Sequence, residues 1–90
     1  MAALEECTLS LIEWLDSRQS DGNWRYVRGY DASLPVKCVS VGWVVFDDGD
    51  TVVLAQSFGD IGDEDMQMAG LKTIPSRAIT RRVAIEEPAT

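Results

Sequence analysis

Between Lys37 and Phe58 two runs rich in β-branched and aromatic residues, CVSVGWVVF and TVVLAQSF, flank the acidic turn Asp47-Asp48-Gly49-Asp50. This pattern commits the middle of the chain to an antiparallel hairpin. A two-stranded ribbon is marginal on its own in water, so the rest of the chain must supply strands that cover one of its faces. With Asp48-Gly49 as a two-residue type I′ loop, Phe46 faces Thr51, Val45 faces Val52, Val44 faces Val53, Trp43 faces Leu54 and Gly42 faces Ala55. Trp43, Val45, Val52 and Leu54 then share the core face. A four-residue loop keeps the hairpin but slips the pairing, and a slip of one residue turns the opposite set inward.

The flanking sequence offers those strands. Met66, Met68, Gly70 and Leu71 to Ile74 read as a strand ended by Pro75, because proline cannot donate to a ladder. Ile79 to Ile85 alternates as a last strand, and Pro75-Ser76-Arg77-Ala78 between them has the length of a tight 3₁₀ turn. Gly59 to Asp65 has neither strand nor helix period and reads as a loop. At the beginning two patterns compete: Leu4, Cys7, Leu11 and Leu15 fit a helical stripe, whereas Thr8 to Leu15 fits a strand with Ile12 and Trp14 on one side. Ser20-Asp21-Gly22-Asn23 is a turn inside a long connection that runs to Pro35. The ends, 1–7 and 86–90, are expected to fray. The 90 residues suit one domain. With the strand reading at the start, that domain is all-β: a small, strongly bent antiparallel barrel of five strands with a short 3₁₀ turn before the last.

Composition narrows the chemistry. The chain contains no histidine, which removes Ser–His, Cys–His and His–metal mechanisms together. Its two cysteines, Cys7 and Cys38, have no CxxC spacing and cannot complete a tetrahedral zinc site within one chain; buried small hydrophobes in a reducing cytoplasm are the plainer reading. The net charge of −7 opposes nucleic-acid and anionic-membrane binding by the molecule as a whole. The longest apolar run, Val41 to Phe46, is far below membrane-spanning length, and Glu5 and Glu6 stand where an export signal is basic.

IEWLDS (Ile12 to Ser17), Gly22-Asn23-Trp24, CVSVGWVVF (Cys38 to Phe46), VVLAQSF (Val52 to Phe58) and GLKTIPSRAI (Gly70 to Ile79) together resemble a family of small, largely uncharacterised proteins from bacteriophages and prophages. The resemblance runs in order from about Leu9 to Ile85. It implies a virus-encoded accessory protein in the cytoplasm of the bacterial host, and it favours a strand over a helix at Leu9 to Leu15. The Ile74-Pro75-x-x-x-Ile79 element also looks like the short turn before the final strand of SH3-like and Sm-like barrels, a likeness of fold and not of chemistry. No catalytic residue carries over from either resemblance.

Three constellations carry candidate chemistry. Asp47, Asp48 and Asp50, with Asp60, Asp63, Glu64 and Asp65, offer hard oxygen ligands, but neither group has the spacing of a calcium loop, and solvated turns account for both. No metal, cofactor or catalytic group is expected. Lys72, Arg77, Arg81 and Arg82 form a basic stretch; if the last two strands pair, it becomes a patch able to receive a phosphate, a nucleotide or the acidic loop of a second copy. A solvated edge strand, where basic residues discourage aggregation, is the plainer alternative. Trp24, Arg25, Tyr26, Arg28 and Tyr30 alternate aromatic with basic groups in the long connection, as a base-stacking or peptide-binding surface does; the competing reading makes them a plug over one end of the barrel. The expected function is therefore non-enzymatic: a phage or prophage accessory protein that occupies a host protein or a small nucleotide-like signalling ligand, for instance to counter host defence, and that self-associates through strand edges. Sm-like binding of RNA or single-stranded nucleic acid is the alternative.

Overall fold

The computed structural model describes residues 6–86. The tails expected to fray, 1–7 and 86–90, fall outside this range except for residues 6, 7 and 86. Within it the chain forms strands β1 (Thr8–Asp16), β2 (Val36–Asp47), β3 (Thr51–Ala55), β4 (Ser57–Gly59), β5 (Gln67–Ala69), β6 (Lys72–Pro75) and β7 (Ile79–Ala84), with a 3₁₀ turn, Ser76–Ala78, before β7. Five of them make an antiparallel sheet in the order β6-β3-β2-β1-β7, while β4 and β5 pair separately. The alternation at Thr8 to Leu15 that suggested a strand produces β1, with Ser10, Ile12 and Trp14 buried on one side.

The inner face is built from residues that pairing brings into line. Trp14 lies opposite Cys38, and Ile12 opposite Ser40, on β2. Val44 lies opposite Leu54, and Val52 opposite Ile74. The core is thus Ile12, Trp14, Val52, Leu54 and Ile74, with Cys38, Val44, Ala78 and Ile79 packed against it. For Trp14 on β1 and Ile74 on an edge strand to share one core the sheet must curl, and Lys72 Nζ, also on β6, sits 5.6 Å from the Trp14 ring centre. The 3₁₀ turn anchors the curled end: the Ser76 amide donates to the Asp50 carbonyl at 2.8 Å.

The central hairpin forms, but its two-residue tip is displaced by one position from Asp48-Gly49. Trp43 pairs with Ala55, Val44 with Leu54, Phe46 with Val53 and Asp47 with Val52, with a bulge at Val45. The slip moves Val44 inward beside Val52 and Leu54, and sends Trp43 to the outer face. There its ring meets that of Phe58, with centroids 5.3 Å apart. The turn is displaced by one residue: Asp48 Oδ1 accepts from the amides of Asp50 and Thr51, while the Asp48 amide donates to the Thr51 carbonyl, so Gly49 and Asp50 form the tip. This moves each pairing by two residues and keeps the faces, and it is the bulge at Val45 that turns Trp43 over. Gly49 takes the left-handed conformation there, φ 90°.

Two further expectations change in detail. The strand drawn from Met66 to Ile74 is interrupted at Gly70, whose φ of 69° kinks the chain, giving β5 and β6; β3 and β4 break opposite at Gln56. The last two strands, β6 and β7, do not pair with each other: they are the two edges of the sheet, β6 against β3 and β7 against β1. The ladder is accordingly an open sheet where sequence suggested a closed barrel. Among the described residues no helix is long and apolar enough to cross a membrane.

Candidate functional site

The connection between β1 and β2, residues 17–35, carries no regular secondary structure, yet it is locally organised. At its base Arg18 Nε donates to the Leu34 carbonyl at 2.8 Å, tying the outgoing and returning chain together. Farther out, Asp21 accepts from the Asn23 amide at 3.0 Å and takes a forked contact from Arg25 Nη2, 3.1 and 3.3 Å to its two oxygens. The Asn23 amide first, and the Arg25 guanidinium after it, hold the Asp21 carboxyl below its usual value. Gly22 and Gly29, both at positive φ, supply the bends, and the Tyr30 amide donates to the Val27 carbonyl at 3.4 Å.

This arm does not fold back on the sheet. Trp24 is 99% exposed, Val27 95% and Tyr26 91%, so the plug reading is incorrect. The chain's extents of 58 × 25 × 24 Å and radius of gyration of 17.5 Å exceed the roughly 12 Å of a compact domain of this size, as a projecting segment requires. Of the sequence-derived surface, Trp24, Arg25, Tyr26, Arg28 and Tyr30 all lie on this arm, and Arg25, Tyr26, Arg28 and Tyr30 help line an open hollow of about 350 Å³.

The basic residues are not gathered in the same way. Lys72 lies on the β6 edge over Trp14, Arg77 is exposed on the 3₁₀ turn, and Arg81 and Arg82 lie on the opposite edge. Arg81 faces Glu13 at 3.6 Å, and Arg82 Nη1 donates to Asp47 Oδ2 at 2.8 Å. Two of the four cations are thus engaged by carboxylates of the same chain, and the patch that required β6–β7 pairing does not assemble. Arg82 is the main reason the Asp47 carboxyl titrates below its usual value, with the Gly49 amide second. The acidic runs do local work: Asp47, Asp48 and Asp63 each accept from a backbone amide two residues on. No group of three metal-ligating side chains occurs among the described residues.

Sequence reasoning missed one feature. Part of the sheet's outer face is left uncovered, with Leu15, Val39, Val41 and Val83 exposed on neighbouring strands. The signal was present in the alternation of β2, whose odd-numbered residues from Lys37 to Val41 face away from Cys38 and Ser40, but the slipped hairpin register obscured which set turned inward. Beside Val39 and Val41 lies a cleft of about 370 Å³ that Leu54, Gln56, Gly70 and Leu71 help to wall. Comparison with protein-family models, with characterised proteins and with solved structures returned no match.

Proposed function

We propose that the chain is a non-enzymatic binding module, a phage or prophage accessory protein acting in the bacterial cytoplasm, whose arm engages a host protein. One observation carries this reading: Trp24, Tyr26 and Val27 stand almost fully in solvent on an arm organised by its own hydrogen bonds. A large aromatic exposed to water forgoes its burial energy, and pre-ordering the segment that holds it lowers the entropy cost of docking. Tryptophan, tyrosine and arginine are the residues on which binding energy concentrates in protein interfaces. The long connection also exceeds the 12 to 15 residues beyond which structureless loops are commonly functional, by the usual approximate measure. A host protein suits this convex arm better than a small ligand, which seeks a concave site. Countering a host defence system is a role such occupation serves.

The fold beneath the arm is read as an SH3-like small barrel. The strand order β6-β3-β2-β1-β7 supports this, since the two edge strands are consecutive in the chain and joined by the 3₁₀ turn. Curling that brings Lys72 over Trp14 and Arg82 to Asp47 acts in the same direction.

The test is capture of a partner from bacterial host lysate at physiological salt by the wild type and by a Trp24→Ala/Tyr26→Ala variant, with mass detection of any co-purifying nucleotide. Loss of the two rings should weaken capture by about thirtyfold or more, the scale of an interface hot spot. Undiminished capture by the variant would show that the arm is not the recognition element. Alternating rings and guanidinium groups also suit single-stranded nucleic acid, as in Sm-like RNA binding. Retention on an oligonucleotide column that collapses steeply with salt would favour that reading.

A further inference from the structure

The strand edges of this sheet are not equally guarded. The β7 edge presents Thr80, Arg81 and Arg82, and the β6 edge is only four residues long, with Lys72 at one end and Pro75 at the other. Charges, brevity and proline are the devices by which sheets prevent a foreign strand from adding. A third edge has almost none of them. β2 bonds to β1 along its whole paired length, but β3 reaches only as far as Trp43 opposite Ala55. Val36 to Val41 therefore shows one row of backbone donors and acceptors with no strand beside it among the described residues. The stretch pairs with β1 without a bulge and is rich in valine, with Lys37 as its only charge and Val39 62% exposed.

We propose that a second copy of this chain pairs along this edge, β2 against β2 in antiparallel sense about a two-fold axis, making one continuous sheet across the two protomers. Both faces of the stretch match themselves under that operation. Val39 and Val41 extend the apolar outer face, while Cys38 and Ser40 are small enough on the inner face to leave the seam unobstructed. The ends match as well. At the Val41 end lies the cleft partly walled by Leu71, itself exposed, and at the other end Leu34 stands 76% exposed just before β2. Antiparallel pairing carries Leu34 of each protomer toward the cleft of its partner, so the two apolar features are covered twice by one symmetry operation. A seam of this length involves far fewer than the roughly 20 to 30 residues per side of a standard interface, and each protomer brings a charge of −7. The dimer therefore forms in the micromolar to sub-millimolar range. Apart from Leu34 at its base, the arm is not part of the seam, and this inference stands apart from its proposed role.

Sedimentation of the full chain from about 10 µM to about 1 mM should show a monomer–dimer equilibrium. Amide exchange at Val36 to Val41 should slow as concentration rises, while exchange in β7 stays constant. Val39→Lys/Val41→Lys, exposed on the outer face, should weaken the dimer by about tenfold or more, and Leu34→Asp by a smaller factor. Trp24→Ala should leave it intact. A chain that stays monomeric across that range, or a dimer whose concentration-dependent protection falls on β6, β7 or the outer arm around Trp24, would overturn the proposal. The exchange measurement needs only the wild type, so it decides even if a lysine variant misfolds.

Discussion

Trp14 and Trp24 are the same side chain under opposite conditions. Trp14, on β1, is 8% exposed, donates its indole Nε1 to Ser40 Oγ at 3.0 Å, and carries Lys72 over its ring. Trp24 touches nothing comparable. The first lies where strand pairing from several elements converges, so its burial, hydrogen bond and cation contact all depend on the sheet being formed. The second lies on an arm whose order comes from neighbours a few residues away, Asp21 with Asn23 and Arg25, Arg18 with Leu34. The sheet's stability and the arm's local order are thereby separated along the chain: the sheet is most sensitive at its inner face, and the arm should change without the sheet noticing.

The largest effect expected from that separation lies at Ile12, fully buried at the centre of the inner face. Ile12→Ala should cost about 2–5 kcal/mol, against a total stability of about 5–13 kcal/mol for a chain of this size. Trp24→Ala should change the unfolding free energy, read from a urea titration, by no more than about 0.5 kcal/mol. Equal losses would mean that the arm packs on the sheet in solution, and the contrast between the two tryptophans would fail.

A smaller loss is expected at Gly42, where the sheet's close approach can be isolated from side-chain burial. A Cβ at this position would lie 2.8 Å from the Ala55 carbonyl oxygen and 3.2 Å from Leu54 Cβ. The first of these is backbone and cannot swing aside. Gly42→Ala should therefore cost about 1–3 kcal/mol by overpacking, measured in the same urea titration, even though alanine is the better residue for ordered backbone elsewhere. Gly22→Ala, on the arm, meets no neighbouring atom but is strained by its φ of 84°, and should loosen only the local turn, as read by amide exchange at Asn23.

The sheet side of this contrast was readable because its signals are periodic. The alternation of Ile12 and Trp14, the β-branched runs on either side of Asp47 to Asp50, and Pro75 before Ile79 each act over a few residues, and each produced the element it indicated. Register was not readable in the same way. Asp48 closes the turn with its own carboxylate one residue later than expected, which moves every partner by two, and the bulge at Val45 moves those beyond it by one, so Trp43 exchanged the inner face for the outer. The bulge at Glu13/Trp14, where Thr80 Oγ1 donates to the Glu13 carbonyl at 3.1 Å, places Ile79 beside Trp14 while Val83 stays with Leu11 outside; no pattern in ITRRVA announces it. For the arm, the residue types suggested recognition, but their exposure follows from where the returning chain is tied at Leu34, a long-range fact absent from local sequence.

The smallest effect is the most selective, because it sets two aspartates with similar titration in the two regions against each other. Arg82 holds the folded Asp47 carboxyl below its ordinary value of 3.8 and links the β2 end of the hairpin to β7; Asp21 is held below 3.8 mainly by the Asn23 amide, with Arg25 assisting. A carboxyl whose folded pKa is depressed stabilises the fold fully above its ordinary value and loses that contribution as the pH falls through the folded pKa. Asp47→Asn keeps an oxygen for the Gly49 amide but loses the charge that attracts Arg82. Its melting temperature should lie slightly below wild type at neutral pH, and the gap should close on acidification below the usual carboxylate range. Asp21→Asn should leave the melting temperature unmoved at every pH, because its turn, held within residues 21–25, forms and melts locally and its carboxylate contribution is not tied to global unfolding, while amide exchange at Asn23 quickens. A pH-dependent shift in melting for Asp21→Asn as large as that for Asp47→Asn would mean that arm and sheet melt as one unit, and the pre-ordered arm would then be a consequence of folding, not a separately organised element.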